Sequence, residues 1–562
     1  MEKISEIASY LGIPNELVHP YGNYKAKIGL QALLGKKAEG NQRSKLVLVT
    51  SMTPTPFGEG KTVIAIGLAS ALHRLGLRSV VCIRQPSLGP LFGIKGGAAG
   101  GGKSTVEPMN EINMRFTGDI DAVASAHNLL SAVVDNHIFH GNELEIDPKS
   151  ITWRRTVDMN DRALRHIVVG LDQRSKNGAP LSRDDAFVIT AASEAMAILC
   201  LAQTYRDLKE RLGKMIVGFN RSGLPVRAGD LGVSGAMAAV LKNAMEPNLV
   251  QSSDGSPALV HGGPFGNIAT GTSSLVSIQM GLAYADYCVV EAGFGSDLGA
   301  EKFFDIVARV GGFRVDAAVI VVSIRALKYH SQSSEKSYNA NVRREEKSQL
   351  QSSLPGSPLN GGIQNLEKHV ENVKSFGLAP VVALNRFASD TDAEVNLVRE
   401  ACLYMGVQFE VSNVFSQGAQ GGLALAQLVA EAAQTNSHSN LRIYESDDSF
   451  EEKVEKVVKK IYGGSGFAYT PAALQDLDRI QKLGFEKLPI CMAKTPLSLS
   501  DDPKVVGRPD AFSVQLHHIG ISAGAGFVIP YMGEIMTMPG LPKHPVAERI
   551  DITDSGEITG LF

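Results

Sequence analysis

The chain has 562 residues, enough for two to four domains, and its 44% hydrophobic content and 57 glycines suit an α/β enzyme rich in tight turns. Lys and Arg total 55 against 58 Asp and Glu, a net charge of −3 that gives no ground for binding nucleic acid or an anionic membrane face. Five scattered cysteines support neither a disulfide framework nor a zinc site and read as buried thiols of a cytoplasmic protein.

The N-terminus, Met1 to Ala8, is acidic and amphipathic, unlike a signal peptide. The first informative element is the apolar, β-branched run 46–50, a predicted strand. It enters a Pro/Gly loop that ends in Gly58-Glu59-Gly60-Lys61-Thr62 and opens directly into a helical pattern. Strand, glycine loop and helix N-terminus in that order make a phosphate cradle. Thr53, Pro54, Thr55, Pro56, Phe57, Gly58, Glu59 and Gly60 are expected to surround a nucleoside triphosphate. Lys61 adds charge at the outer phosphates, and the Thr62 hydroxyl is placed for Mg²⁺. Thr55 stands where the usual pattern has glycine.

A second strand, 79–83, delivers Arg84 and Gln85 into a loop. A guanidinium at a strand end beside a phosphate cradle suits a planar oxyanion or a transferring phosphoryl group. The glycine-rich run 93–103, with Lys95 and Lys103, reads as a loop that approaches a ligand closely. Asp119 follows in a turn, where it is a candidate to hold Mg²⁺ or orient a cation. The most apolar helical stretch, 186–203, contains Ser193 and Glu194 and is too short to span a bilayer comfortably.

The strand 286–290 ends at Glu291, where P-loop enzymes place the acid that orients the metal or its water; Asp297 is a second candidate. Another strand, 317–323, precedes a polar, turn-rich segment, 331–360, read as a long loop or insertion. The run 380–384 leads to Asn385-Arg386-Phe387. Phe387, and Phe415 further on, are either stacking plates for a flat heterocycle or core residues. A polar stretch, 435–449, reads as a domain junction before a charged helix, 450–462, and the last ~100 residues form a further α/β unit. No Ser-His-Asp, Cys-His or His-x-x-His arrangement stands out.

The expected fold is α/β, with a P-loop NTPase-like, mostly parallel sheet in a large N-terminal domain (1–360). Two smaller α/β units follow, 361–448 and 449–562.

Several long stretches carry a family resemblance: Thr-Pro-Thr-Pro-x-Gly-Glu-Gly-Lys-Thr (53–62), Arg-x-Pro-Ser-Leu-Gly-Pro (84–90), Gly-Ile-Lys-Gly-Gly-Ala-Ala-Gly-Gly-Gly (93–102) and Val-His-Gly-Gly-Pro-Phe (260–265). Residues 291–303, Arg-Ala-Leu-Lys (325–328) and Met-Thr-Met-Pro-Gly-Leu-Pro-Lys (536–543) complete it. Over its whole length the chain resembles formate–tetrahydrofolate ligases. The resemblance implies a homotetramer using ATP, Mg²⁺ and a monovalent cation (K⁺ or NH₄⁺), with formate and reduced folate as the other substrates. It implies that ATP and formate give formyl phosphate, which the folate N10 then attacks. Lys61 and Thr62 would hold triphosphate and metal, Arg84 the formyl phosphate, and Phe387 one face of the pteridine.

Departures from the family pattern fall near these sites. Phe57 stands for a small residue, Val63 for Thr, Gln85 for Glu, Lys103 for Tyr and Thr270 for His. Ser331-Gln332 replaces two glycines, and Phe415 replaces the stacking Trp. Three readings follow: a ligase with a remodelled pterin pocket, the same chemistry on another acceptor such as dihydrofolate, or a weakly catalytic nucleotide- or folate-binding paralogue.

Overall fold

The computed structural model describes residues 1–34, 44–95, 99–331, 358–436 and 441–561. β-Branched runs assemble one twelve-stranded sheet. In chain order its strands are β1 (Val18–Pro20), β2 (Ala26–Ile28), β3 (Lys45–Ser51), β4 (Ser79–Ile83), β5 (Gly100–Gly101) and β6 (Ser104–Glu107). They continue with β7 (Asn248–Ser252), β8 (Pro257–Val260), β9 (Tyr287–Glu291), β10 (Ala317–Val322), β11 (Val381–Asn385) and β12 (Gln408–Ser412). The spatial order is β1-β2-β7-β8-β4-β9-β3-β10-β11-β12, with β6 on β7 and β5 on β6. Every pairing from β8 to β12 is parallel. The edge beyond β8 is antiparallel. The fold is therefore α/β, a large, mostly parallel mixed sheet accompanied by small two-stranded ones.

The five strands read from the sequence are β3, β4, β9, β10 and β11, each buried on both faces and carrying a continuous apolar run. In β3, Leu46 and Leu48 enter the core on one side of the sheet while Val47 and Val49 enter the core on the other. Strands β7, β8 and β12 carry polar or proline residues, which hides them from a search for apolar runs.

After β3 the chain turns into α1 (Lys61–Arg74), packed in the second core. Gly67 is required there: a Cβ would lie 2.4 Å from Cβ of Val414. The apolar stretch 186–203 breaks into a strand, Phe187–Ile189, and a buried helix, Glu194–Leu201. Among the described residues no helix is long and apolar enough to cross a membrane.

The polar segment 331–360 lies almost wholly outside the described residues. Within the stretch 435–449, Tyr444 is buried in the first core, with Arg309 5.0 Å from its ring. Beyond it, the helix that begins at Phe450 buries Phe450, Val454 and Val457 and continues through Tyr462. Two two-stranded sheets follow, Gly466–Tyr469 with Ser513–Leu516 and His518–Ser522 with Phe527–Tyr531. Their buried Val514, Phe527 and Val528 join the same core as Leu46.

Candidate active site

Seven parallel strands end on one edge, where an open α/β sheet places its ligands. At the centre is the loop from Ser51 to Lys61. Gly60 precedes α1 with φ +79°, and a Cβ on it would lie 2.4 Å from Nδ2 of Asn385, so both conformation and space demand glycine. Glu59 braces the loop from inside. Its Oε1 accepts from the Thr55 N–H at 2.9 Å and the Thr55 hydroxyl at 2.8 Å, its Oε2 accepts from Ser323, and its carbonyl accepts from Asn385 at 3.0 Å.

Thr53 is fixed from beneath. Asn365 donates to Thr53 Oγ1 at 2.9 Å, and Nε2 of His369 lies 2.8 Å from the same oxygen. Gly507 N–H donates to His330 Nδ1 at 3.2 Å, so His330 Nε2–H donates to the Thr53 carbonyl at 2.9 Å. Burial pushes His369 down to about 3 and lowers His330 too, so this floor stays uncharged near neutral pH. The loop can surround an anion without a competing cation moving underneath it.

On the reactive side, Lys61 donates to Ser51 Oγ at 3.2 Å. The Thr62 hydroxyl donates to Glu291 Oε2 at 2.7 Å, and Arg84 Nε lies 3.7 Å from Glu291 Oε1. The strand order explains the convergence: β9 lies between β3 and β4, with Glu291 opposite Val49. Arg84 Nε and Gln85 Oε1 are buried and make no hydrogen bond among the described residues, a cost a bound polar ligand would relieve. Beside Arg84, Gly293 lies close against the backbone: its N–H donates to the Gly271 carbonyl at 2.8 Å, and a Cβ on it would lie 2.9 Å from that oxygen. The neighbouring Thr270 is buried.

The aromatic side chains stand out from this frame. Phe387 is half-buried, its N–H held by Asp390 at 2.8 Å, while Phe57 is 75% exposed and Phe415 is 51% exposed. The Phe415 carbonyl accepts from the Lys103 N–H at 2.8 Å. A Cβ on Gly102 would lie 2.9 Å from the Phe415 ring, and one on Gly101 would meet both that ring (3.4 Å) and Val63 (3.6 Å). Phe415 thus closes the glycine-rich loop against the first turn of α1. Phe415 is exposed and Phe387 half-buried, so neither belongs to the buried core.

Two acidic candidates lie apart from that convergence. Asp119 is buried at the start of the helix Asp119–Phe139, paired with Lys27 at 2.8 Å and accepting from Asn248 at 2.7 Å. Asp297 forms a fully buried pair with Lys494 at 2.7 Å. Sequence reasoning missed Glu59 as a brace, and it missed Ser323, Asn365, His330 and His369. Glu59 has a local signal, a carboxylate between two loop glycines. The others lie more than 250 residues along the chain from the loop they support, and nothing local marks them.

A family model described as "Formate--tetrahydrofolate ligase" matches residues 1–562. A curated protein of that name from Thermotoga maritima is 50% identical over 561 residues, covering 100% of both chains. Among solved structures, the "G51S mutant of L. casei FPGS" shares 9% identity over 86% of each chain at a TM-score of 0.20, too low to carry an argument about fold. The full-length match does not favour the reading as a weakly catalytic nucleotide- or folate-binding paralogue. The chain belongs to the formate–tetrahydrofolate ligase family and is an ATP-dependent enzyme of that kind.

Proposed function

We propose that this enzyme joins formate to N10 of tetrahydrofolate through formyl phosphate, giving 10-formyltetrahydrofolate, ADP and phosphate. A formate oxygen attacks the γ-phosphorus and the bond to the β–γ bridging oxygen breaks, releasing ADP. N10 then attacks the formyl carbon, the C–O bond to phosphate breaks, and N10 gives up its proton. Residues 53–62 enclose the triphosphate, with Lys61 at the outer phosphates. Arg84 neutralises the acyl phosphate, Gln85 lies beside it, and Phe387 and Phe415 flank the pteridine.

The carrying observation is the meeting of Thr62, Arg84 and Glu291 at the ends of three adjacent strands, with Lys61 of the same loop donating to Ser51 at the end of β3. Formate is a weak nucleophile and formyl phosphate is unstable in water, so positioning and fixed charge are what the chemistry needs. Thr62 and Glu291 are oxygen donors already 2.7 Å apart, a set that suits Mg²⁺, and they would hold it. Bound there, Mg²⁺ would supply charge neutralisation at the phosphate oxygens. The buried Asp119–Lys27 pair supports a role for Asp119 in holding the adjoining strands in register rather than in metal binding.

The monovalent cation, the homotetramer and the division into residues 1–360, 361–448 and 449–562 rest on the family resemblance. A cytoplasmic location rests on the five free, buried cysteines. Isotope transfer tests the intermediate. With ¹⁸O-labelled formate, one label is expected in the released phosphate; phosphate free of label would rule formyl phosphate out.

A further inference from the structure

One side chain bridges the phosphate loop and the aromatic plate. Arg325 lies in the helix Ile324–Ser331, which follows β10, the strand between β3 and β11. Its guanidinium carbon is 5.4 Å from the centroid of Phe57 and 5.0 Å from that of Phe387, and Nη2 donates to the Gly58 carbonyl at 2.8 Å. The result is a ring–cation–ring stack. One ring belongs to the loop that encloses the triphosphate and the other to the strand end assigned to the pteridine. Beneath it, Asn385 donates to the Glu59 carbonyl and ties the same two segments again.

Two features separate this arrangement from ordinary surface packing. Arg325 makes no ion pair with a carboxylate among the described residues, so its charge is undiminished beside an anion-binding loop. Phe57 is 75% exposed, with the guanidinium against its face, at a position where the family pattern has a small residue. A cavity of about 340 Å³ opens beside the stack, lined by Thr55, Phe57, Arg325, Lys328, Tyr329 and Asp390.

We infer that Arg325 is a positioning residue that couples the two substrate sites: the loop ordered around the triphosphate fixes Phe57 and Gly58, these hold the guanidinium, and the guanidinium fixes Phe387 for the pteridine. The ordering cost is met once, by the first ligand, so the second binds more tightly. Reciprocity then requires reduced folate to tighten nucleotide binding by the same factor.

The inference rests on the ligase reading above, and its test separates the two. Tetrahydrofolate affinity is measured by calorimetry with and without saturating Mg-AMP-PNP for the full-length enzyme, Arg325→Ala, Arg325→Lys and Phe57→Ala, alongside kcat and KM. In the unaltered enzyme the nucleotide is expected to tighten folate binding about fivefold. Arg325→Ala and Phe57→Ala should each bring that factor close to one and raise KM for tetrahydrofolate more than they lower kcat. The double variant should lose nothing further, because the two side chains act as one unit. Arg325→Lys should keep part of the coupling, since an ammonium can face the rings but lacks the planar fork that also reaches Gly58. Phe57 is too exposed for its loss to unfold the protein, and unchanged melting temperatures would verify this. Equal coupling in all four proteins, or none in the unaltered enzyme while it turns over, would overturn the role of Arg325 alone. An unaltered enzyme that neither binds nor uses tetrahydrofolate would overturn the ligase reading and this inference with it.

Discussion

The proposed phosphate end and the proposed pterin end of the site are built differently. The loop 53–60 is held by Glu59, Ser323, Asn385, Asn365 and the neutral histidines 330 and 369, most of them buried. The plates are Phe387, half-buried, and Phe415, half-exposed, the latter leaning on glycines and on a helix turn. The first end is preorganised and leaves little to reorganise as charge moves, which is what electrostatic stabilisation of phosphoryl transfer requires. The second is an open surface whose residues can be exchanged without disturbing the core. Phe57, Lys103 and Phe415, three departures from the family pattern, are exposed, while two others, Gln85 and Thr270, are buried.

The comparison can be broken at several points. The largest effect is expected from Lys61→Ala, which should lower ATP turnover by about a thousandfold or more with an unchanged circular dichroism spectrum; near-normal turnover would remove Lys61 from the cradle. Arg84→Ala should cost about 2–4 kcal/mol in the formate-dependent step and much less in nucleotide affinity. Equal losses in both would make Arg84 a structural residue.

Glu59→Ala tests the brace. It leaves Thr55 and Ser323 without their acceptor, so a loss of about 2–3 kcal/mol in unfolding free energy is expected, together with weaker ATP binding. A loss confined to ATP binding would mean that the loop needs no internal support. By contrast, Phe415→Ala should leave stability almost unchanged and weaken folate binding by about 1 kcal/mol, read as KM for tetrahydrofolate.

The smallest effect is one of pH and stability. His127 is buried against Trp153, with ring centroids 4.1 Å apart, and burial lowers it to about 4. Below its unfolded value of about 6.5 the unfolded chain takes up a proton that the folded chain refuses, so stability falls as pH drops from there towards 4. Carboxyl groups raised to about 7, Glu194 and Asp305, oppose this trend, so the net slope is not diagnostic. The difference from His127→Phe is: the unaltered enzyme's advantage should shrink by up to about 1.4 kcal/mol per pH unit between pH 6.5 and 4 in urea titrations. A constant difference would mean that His127 titrates normally.

The phosphate loop was legible because its chemistry is local: strand, glycines, Lys61 and Thr62 are contiguous. Arg84 and Glu291 were legible because a charged residue ending an apolar strand points to the ligand edge of a parallel sheet. The brace under Thr53 was not legible, since His330, Asn365, His369 and Gly507 meet there only through folding. Asp119 shows the opposite situation. A carboxylate in a glycine turn looks catalytic, but its partner Lys27 lies 92 positions earlier and binds it in the interior. Strands β7 and β8 escaped because Asn248, Gln251, Ser252 and Pro257 cut short their apolar runs, and β12 because an edge strand needs none.

The most direct measurement is ADP release with Mg-ATP and formate, run with tetrahydrofolate, with dihydrofolate and with no pterin. The account predicts turnover that requires formate and tetrahydrofolate together. Turnover with dihydrofolate alone, or none with any pterin from an enzyme that binds ATP, would contradict it.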